Sequence, residues 1–185
     1  MNLGAERLPF PWRLRVDDPA SGADNMAADE ALLKAQKDPS SLPVLRLFRW
    51  KHRVLSYGRL GDAHEAANQA MNLGAREAVR RPTGGGVVLH DGSLSFSLAW
   101  RKDHPSFPRS IKDVYRAIHE TVRSALFSMG VATELHAGVS APGGFCAEAP
   151  ATDDLMVQGK KIVGGAMRVT GWARRCAMAE NRGRS

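Results

Sequence analysis

Three successive glycines near the middle of the chain, Gly84, Gly85 and Gly86, constrain its fold more than any other feature. Glycine loses more conformational freedom on folding than any other residue, so a run of three indicates a special backbone geometry or a close approach of a ligand. Extended segments are predicted on both sides, at residues 77–81 before Pro82 and at residues 87–91. The run therefore predicts a tight turn between two strands.

The residues beside this turn suggest a binding site. The backbone amides of such a turn can face an anion, and Arg81 can offer two parallel hydrogen bonds to a carboxylate or a phosphate. Thr83 adds a hydroxyl directly before the glycines, and His90 follows one short strand later. A plain hairpin with arginines in solvent explains the same residues, and the residues alone leave both interpretations open.

Alternation and capping signals predict the remaining elements. Residues 94–100 alternate large apolar with small side chains, as a half-buried strand does. Ser110 is expected to begin a helix with apolar side chains at three- and four-residue spacing, which Gly130 ends. Asp24 and Asp62 are the expected caps of two further helices. Strands are also predicted over residues 12–16, 44–50, 53–57, 131–135, 154–157 and 161–170, and a long loop over residues 137–150.

The order of these elements mixes hairpins with helices and predicts an α+β fold rather than a doubly wound one. A length of 185 residues favours one domain, and 43% hydrophobic with 24% charged residues is ordinary for a globular protein. No apolar run approaches the roughly 18 residues of a membrane span, and no signal-peptide pattern opens the chain. The sequence therefore predicts a cytoplasmic protein without membrane contact.

The net charge of +7 permits nucleic acid or an acidic partner. No aromatic RNA-binding motif or zinc finger accompanies the basic residues, so a solvated basic surface is the simpler interpretation and nucleic-acid binding is not expected. Two cysteines, Cys146 and Cys176, do not make a disulfide framework in a chain of this length. Without a CxxC pair or an HExxH motif, no metal site is predicted.

Two segments carry a resemblance to a known family. Residues 80–91, RRPTGGGVVLHD, resemble the RRxSGGGxVxHD signature of the lipoate–protein ligase family, with Thr83 in place of the commoner serine. Residues 154–166, DLMVQGKKIVGGA, are similar to the DLxVxGKKIxGxA element of the same family. Weaker agreement extends from residue 12 to residue 173. The chain thus resembles members of the wider biotin/lipoate protein ligase group, and the His-Asp after the glycines is typical of the lipoate branch rather than of biotin ligases.

The resemblance implies a fold like that of class II aminoacyl-tRNA synthetases and biotin ligases, a mixed and mainly antiparallel sheet flanked by helices. It implies a catalytic domain over residues 1–174, incomplete at its C-terminal end because the family's continuation is missing. Residues 175–185, which show no helical or strand periodicity, are expected to form an irregular basic tail.

The resemblance also implies a set of site residues. The acyl chain would lie in an apolar tunnel beside the glycine turn. Lys161 would be the electrostatic catalyst that contacts the acyl carbonyl and an adenylate phosphate, although the residues alone favour a solvated basic turn for the Gly-Lys-Lys sequence. The implied substrate-binding residues are Arg81, Thr83, Gly84, Gly85, Gly86, His90, Asp154, Gly164 and Ala166.

The preferred prediction is a lipoate–protein ligase-type enzyme, because the two matching segments are nearest to that branch. Such an enzyme uses ATP and Mg²⁺ to attach lipoate or octanoate, through an acyl-adenylate, to a lysine of a lipoyl-carrier domain. The carriers would be of the 2-oxoacid dehydrogenase E2 type or the glycine cleavage H protein type.

Two alternatives stay open. Cys146 lies in a Cys-Ala-Glu-Ala-Pro sequence that resembles the family's CFxxP loop, where octanoyl transferases have their nucleophile. The chain could then move an octanoyl or lipoyl group from an acyl carrier protein through a thioester on Cys146. Cys146 could equally be a buried structural cysteine, and the chain could be a truncated relative that binds lipoate or a carrier domain without catalysis.

Overall fold

The computed structural model describes residues 11–108, 110–138 and 150–170, and the backbone of residues 174–181. These residues form ten β-strands and three α-helices in two sheets, which confirms the predicted α+β class. The helices are α1 (Gly22–Ala35), α2 (Ala63–Asn72) and α3 (Ile111–Ser128). The strands are β1 (Arg13–Val16), β2 (Val44–Arg49), β3 (Val54–Tyr57), β4 (Glu77–Arg80), β5 (Val87–His90), β6 (Leu94–Ala99), β7 (Glu134–Leu135), β8 (Leu155–Val157), β9 (Lys160–Val169) and β10 (Arg174–Asn181).

The larger sheet has seven strands in the order β1-β2-β6-β10-β9-β8-β7. Only its β1–β2 pair is parallel, and its other pairs are antiparallel. The smaller sheet has the order β4-β3-β5, with β3 parallel to β4 and antiparallel to β5. The predicted mixed, mainly antiparallel arrangement is therefore confirmed.

The predicted irregular tail is wrong for most of its length. Residues 174–181 form β10, which lies between β6 and β9 and pairs antiparallel with both. Ala177 is opposite Leu98 on one side and Met167 on the other. The hydrogen-bonding edges of two neighbouring strands fix an extended backbone here even though the sequence lacks a strand period. The predicted domain boundary at residue 174 falls on the first residue of this strand.

The helix signals are confirmed at two starts and corrected at the third. Asp62 caps α2, and Ser110 caps α3 in a capping box with Asp113. Ser21 rather than Asp24 caps α1: the Ser21 hydroxyl accepts a hydrogen bond from the Asp24 amide and donates one to its carboxylate. Both residue types cap helices, and the earlier one ends the non-helical segment.

Helices α2 and α3 each pack on one of the two sheets. Helix α2 packs on the smaller sheet through Ala66 and Ala70, which contact Leu55 and Tyr57. Helix α3 covers β8 and β9 of the larger sheet, where Leu126 forms a buried cluster with neighbours from both strands. In the part of the chain that the structure describes, no helix combines the length and apolar character needed to cross a membrane.

Candidate active site

The glycine loop, residues 81–86, connects β4 to β5 and lies against the end of β3 in the smaller sheet. The Arg81 amide donates to the Tyr57 carbonyl at 2.8 Å, and the Arg59 amide donates to the Thr83 carbonyl at 2.9 Å. A Cβ atom at Gly58 would collide with the Gly85 carbonyl oxygen, so the two backbones need a glycine at their contact. Gly85 itself has a φ of 97°, which side-chain-bearing residues rarely adopt. The predicted connection between two strands is thus confirmed, but it is a loop across the end of β3 rather than a tight turn, because β4 and β5 both pair with β3 and not with each other.

The guanidinium of Arg81 fixes this loop from inside. The side chain is buried, and its NH1 nitrogen donates to the carbonyl and the hydroxyl oxygen of Ser56, both at 2.8 Å. Its NH2 nitrogen donates to the carbonyls of Gly84 at 3.1 Å and Gly86 at 2.8 Å. The Arg81 guanidinium, which was predicted to bind a ligand anion, therefore donates to the loop's own backbone. Arg81 shapes the site by holding the carbonyls of Gly84 and Gly86.

His90 joins the same network. It is 1% exposed, its Nε2 lies 2.5 Å from the Ser56 hydroxyl, and its ring stacks on Trp50 with centroids 3.9 Å apart. Trp50 in turn donates to the Ser95 hydroxyl of β6 at 2.9 Å. The glycine loop, the end of β5 and the larger sheet are therefore connected by one buried chain of polar and aromatic contacts. Ser56 and Trp50 were not among the predicted site residues, although Ser56 begins a Ser-Tyr-Gly-Arg sequence that belongs to the weaker family agreement and was the available signal.

A cavity of about 410 Å³ opens between the glycine loop and α2. Tyr57, Ala66 and Val87 give it an apolar wall, and Gly85 and Gly86 form its loop side. Polar side chains at the start and along α2 line the remaining side: Asp62, Glu65 and Gln69. Cavities of roughly 300–1,000 Å³ commonly take small-molecule ligands. Within the loop, Thr83 is fully buried, and its hydroxyl has no hydrogen-bond partner among the described residues.

The second group of predicted site residues lies in a hairpin of the larger sheet. We call residues 154–164 the lysine hairpin: they comprise β8, a two-residue turn and the start of β9. The turn residues Gln158 and Gly159 have φ of 49° and 73°, as a type I′ hairpin turn requires. Lys160, next in the chain, is exposed, whereas Lys161 is directed inward.

The ammonium of Lys161 is paired with a buried carboxylate. Its Nζ lies 2.7 Å from Oδ2 of Asp154, and the two side chains are 14% and 3% exposed. The same Oδ2 accepts the amide hydrogen of Ala151 at 2.7 Å. A Cβ atom at Gly164 would lie 2.6 Å from the Lys161 Nζ, so the lysine side chain occupies the space above this glycine. The hairpin thus presents a fixed cation, which can stabilise an oxyanion.

The predicted residues therefore fall into two groups in different sheets. One consists of the glycine loop with Arg81 and His90, and the other of Asp154, Lys161 and Gly164. Ala166 lies farther along β9, opposite Met178 of β10. Cys146, the candidate nucleophile, lies outside the described residues. Within the described ranges, no group of three or more His, Cys, Asp or Glu side chains is placed to hold a metal ion.

One more polar side chain lies next to the lysine hairpin. His119 of α3 is buried, and its Nδ1 lies 2.5 Å from the Asp153 carbonyl oxygen. Burial lowers its pKa, the negative charge of Asp154 opposes this, and the positive charge of Lys161 adds to it. His119 was not among the predicted site residues. Its place within the apolar spacing of α3 was the available signal, because that spacing puts it on the buried face.

Comparison with known proteins identifies the class to which this fold and these residues belong. The model of the lipoyl protein ligase A/B catalytic domain matches residues 21–177. The chain is a member of this family, and the family resemblance found in the sequence is confirmed.

The curated relatives include enzymes named octanoyltransferase LipM. The chain is 36% identical over 159 residues to the one from Carboxydothermus hydrogenoformans, covering 84% of this chain and 59% of the relative. It is 33% identical over 168 residues to the one from Bacillus subtilis, with coverage of 84% and 59%. The chain therefore spans about three fifths of the length of these relatives.

Solved structures agree on the fold. A lipoate-protein ligase A bound with ATP superposes with a TM-score of 0.70 at 26% identity, covering 91% of this chain and 65% of that one. A bi-partite lipoate protein ligase from Thermoplasma acidophilum, described with its E2 lipoyl domain, gives a TM-score of 0.70 at 25% identity, with coverage of 93% and 61%.

Proposed function

We propose that this chain carries the catalytic core of an acyltransferase that moves an octanoyl or lipoyl group from a carrier thioester to a lysine of a lipoyl-carrier domain, using Cys146 as the nucleophile. The observation that carries this choice is the set of relatives named octanoyltransferase, at 32–36% identity. The sequence alone favoured the ATP-dependent ligase, and these relatives favour the alternative instead.

The lysine hairpin supports acyl transfer. Attack on a thioester or an acyl-cysteine develops negative charge on the carbonyl oxygen, and a cation held in place beforehand stabilises that charge without reorganising. Lys161 meets this requirement because Asp154 pairs with its ammonium at 2.7 Å and Gly164 leaves room for its side chain. Lys161 is the proposed electrostatic catalyst.

The reaction has two balanced steps. In the first, the thiolate of Cys146 attacks the carbonyl carbon of the donor thioester, and the carrier thiol leaves with the proton that Cys146 released. In the second, the ε-amine of the acceptor lysine attacks the acyl-cysteine, an amide bond forms, and the thiol of Cys146 is regenerated with a proton from the amine.

The glycine loop supports the binding of the acyl chain. The cavity of about 410 Å³ beside Gly85 and Gly86 has an apolar wall and is large enough for an eight-carbon chain. Thr83 is fully buried in the loop and does not line this cavity, so no direct contact with the acyl chain is proposed for it. Arg81 and His90 act indirectly by fixing the loop.

The proposed acceptor is a lipoyl domain of the E2 type, because the ligase from Thermoplasma acidophilum is described with such a domain. The H protein type is a second acceptor of the same chemistry. The proposed donor is an octanoyl carrier protein.

An ATP-dependent ligase is the second candidate, supported by the superposition on a lipoate-protein ligase A bound with ATP. In that reaction lipoate or octanoate would be activated with ATP and Mg²⁺, and Lys161 would contact the adenylate. Cys146 would then have no covalent role.

A transfer assay separates these candidates. The purified chain is incubated with a lipoyl domain and either octanoyl carrier protein or octanoate with ATP and Mg²⁺, and the mass of the lipoyl domain is measured. Transfer from octanoyl carrier protein alone is expected. Transfer that requires ATP would overturn the transferase in favour of the ligase. Tight binding of the lipoyl domain without transfer from either donor would identify a non-catalytic relative.

Cys146→Ser gives the matched variant. It should abolish transfer from the carrier protein, because a serine alkoxide is far harder to form than a thiolate near neutral pH. Intact mass should also show an octanoyl group on the wild-type chain and none on the variant. A Cys146→Ser chain that transfers at the wild-type rate contradicts the thioester route.

A further inference from the structure

His119 occupies a position that the proposed chemistry does not use. It is 1% exposed, and it lies on the same buried face of α3 as Val114 and Leu126. Leu126 packs against β8 and β9, so this face covers the lysine hairpin. A polar ring at such a place needs a partner inside the protein, since water does not reach it.

That partner is the backbone of the turn before β8. Nδ1 of His119 lies 2.5 Å from the Asp153 carbonyl oxygen, which can only accept. The ring therefore carries its hydrogen on Nδ1. Burial lowers the pKa of His119, against the raising influence of Asp154, so the ring is a neutral donor near neutral pH. The Tyr115 ring lies beside it in a T-shaped arrangement, with centroids 6.2 Å apart.

The hydrogen bond fixes one particular peptide group. The carbonyl of Asp153 and the amide of Asp154 belong to the same peptide plane. His119 holds the carbonyl end, and the Ala151 carbonyl accepts the amide end at 3.0 Å. Asp153 has a φ of 69°, an uncommon conformation that persists where the surroundings determine it. The peptide plane in turn sets the direction of the Asp154 side chain.

From Asp154 the contact continues to the proposed catalyst. The carboxylate oxygen Oδ2 accepts the Ala151 amide and pairs with the ammonium of Lys161, both at 2.7 Å. A rotation of the peptide plane would move that oxygen and the ammonium with it. Small displacements of a catalytic group lower rates strongly because the reacting geometry is narrow.

We propose that His119 is a positioning residue for acyl transfer: through the Asp153 carbonyl it orients Asp154, and Asp154 holds the ammonium of Lys161. The inference rests on the proposed catalytic role of Lys161. Histidine suits this place because its neutral ring donates a hydrogen bond without adding a second positive charge beside Lys161.

Three variants test the proposal. His119→Leu removes the donor. His119→Asn keeps one, because its amide nitrogen is as many bonds from the backbone as Nδ1. Val114→Ala is the matched control, since it loosens the packing of the same helix face without touching the hydrogen bond.

In the transfer assay, His119→Leu should lower kcat by about 10- to 100-fold with a much smaller change in KM. His119→Asn should recover most of kcat, and Val114→Ala should keep the wild-type kcat.

A second measurement does not depend on turnover. In protein labelled with ¹³C at lysine Cε, the Lys161 signal is assigned by its loss in Lys161→Gln. This signal should shift in His119→Leu and return toward its wild-type position in His119→Asn. If the wild-type chain transfers no acyl group, the proposed function fails, and this signal still decides the role of His119.

The proposal is overturned if His119→Leu keeps the wild-type kcat and Lys161 signal, or if His119→Asn loses as much kcat as His119→Leu. Should His119→Leu fail to fold, His119→Gln replaces it, because its amide nitrogen lies one bond farther out, where Nε2 was. Recovery by Asn but not by Gln supports positioning through Nδ1, and equal activity of the two contradicts it.

Discussion

The glycine loop joins β4 to β5, and the turn of the lysine hairpin joins β8 to β9. Different kinds of contact hold these two connections in place. In the glycine loop, the Arg81 guanidinium binds backbone carbonyls, and Gly58 allows a close backbone contact. In the lysine hairpin, ionisable side chains make the contacts: Lys161 pairs with Asp154, and His119 donates a hydrogen bond to the Asp153 carbonyl.

This difference indicates how the two regions respond to change. The contacts of the glycine loop are backbone contacts, so a change there alters the shape and stability of the chain before it alters chemistry. The contacts of the lysine hairpin determine where a charge lies, so a change there is expected to lower the rate beyond any loss of stability. The predictions below test this division.

The largest effect is expected from Lys161→Ala. Removing one fixed donor to a developing oxyanion commonly costs about 100-fold or more in kcat, and the same loss is expected in the transfer assay. The variant also leaves the buried Asp154 carboxylate without its cation, so some loss of unfolding free energy is expected and kcat is measured where the variant is folded. Lys160→Ala is the matched control, because the neighbouring lysine is exposed at the turn and should keep nearly full activity. Equal activity of the two alanine variants contradicts the assignment of Lys161.

Arg81→Met should act mainly on stability. It leaves the carbonyls of Gly84 and Gly86 without their charged donor, a loss of about 2–3 kcal/mol in the free energy of unfolding. Urea unfolding measures the change. Arg80→Met is the control: Arg80 is exposed, its guanidinium lies 5.5 Å from the centroid of the Tyr57 ring, and it should contribute less than about 1 kcal/mol. If Arg81→Met kept the wild-type stability and lost only activity, the glycine loop would not differ from the lysine hairpin in the way proposed here.

Local signals explain why much of this arrangement could be predicted from the sequence. The glycines and Pro82 act on their own neighbours, so the turn and its two flanking strands follow from a few adjacent residues. The caps of α2 and α3 are local in the same way. Lys161 and Asp154 are seven residues apart on one hairpin, and the resemblance to a known family marked both.

Contacts between distant segments explain what the sequence did not reveal. Ser56 and Trp50 reach His90 from β3 and from the end of β2, and no local pattern records such contacts. His119 meets Asp153 across 34 positions of the chain. The strand at residues 174–181 follows from the edges of β6 and β9 rather than from its own side chains. Arg81 was assigned to a ligand because charge alone does not distinguish a ligand from a backbone carbonyl.

A smaller effect, about tenfold on kcat, is expected from Gly164→Ala. The added methyl meets the flexible end of Lys161, so the ammonium moves away from Asp154 while the backbone of the hairpin stays in place. Gly58→Ala is the counterpart in the glycine loop, where the added methyl meets the Gly85 carbonyl and the backbone itself must shift. The first variant should lose mainly rate, with the smaller loss of unfolding free energy, and the second should lose mainly stability. A loss of stability alone in Gly164→Ala, together with a loss of rate alone in Gly58→Ala, would contradict this difference between the two regions.

The smallest effect is a pH dependence of stability that comes from the lysine hairpin and not from the glycine loop. Burial lowers the folded-state pKa of His119 below its ordinary value of 6.5, with Asp153, Asp154 and Lys161 as the charged groups around it and the Tyr115 ring at its edge. Between the two pKa values the unfolded chain binds more protons than the folded one. The contribution of His119 to stability is therefore fully present above its unfolded pKa and is lost as the pH falls through its folded pKa.

Urea unfolding from about pH 8 down to about pH 5 should show a shallower loss of stability in His119→Asn than in the wild type. Val114→Ala and Arg81→Met should lower stability but keep the wild-type pH dependence, because neither removes a group that titrates in this range. If His119→Asn follows the wild-type curve throughout, His119 is not a buried neutral donor.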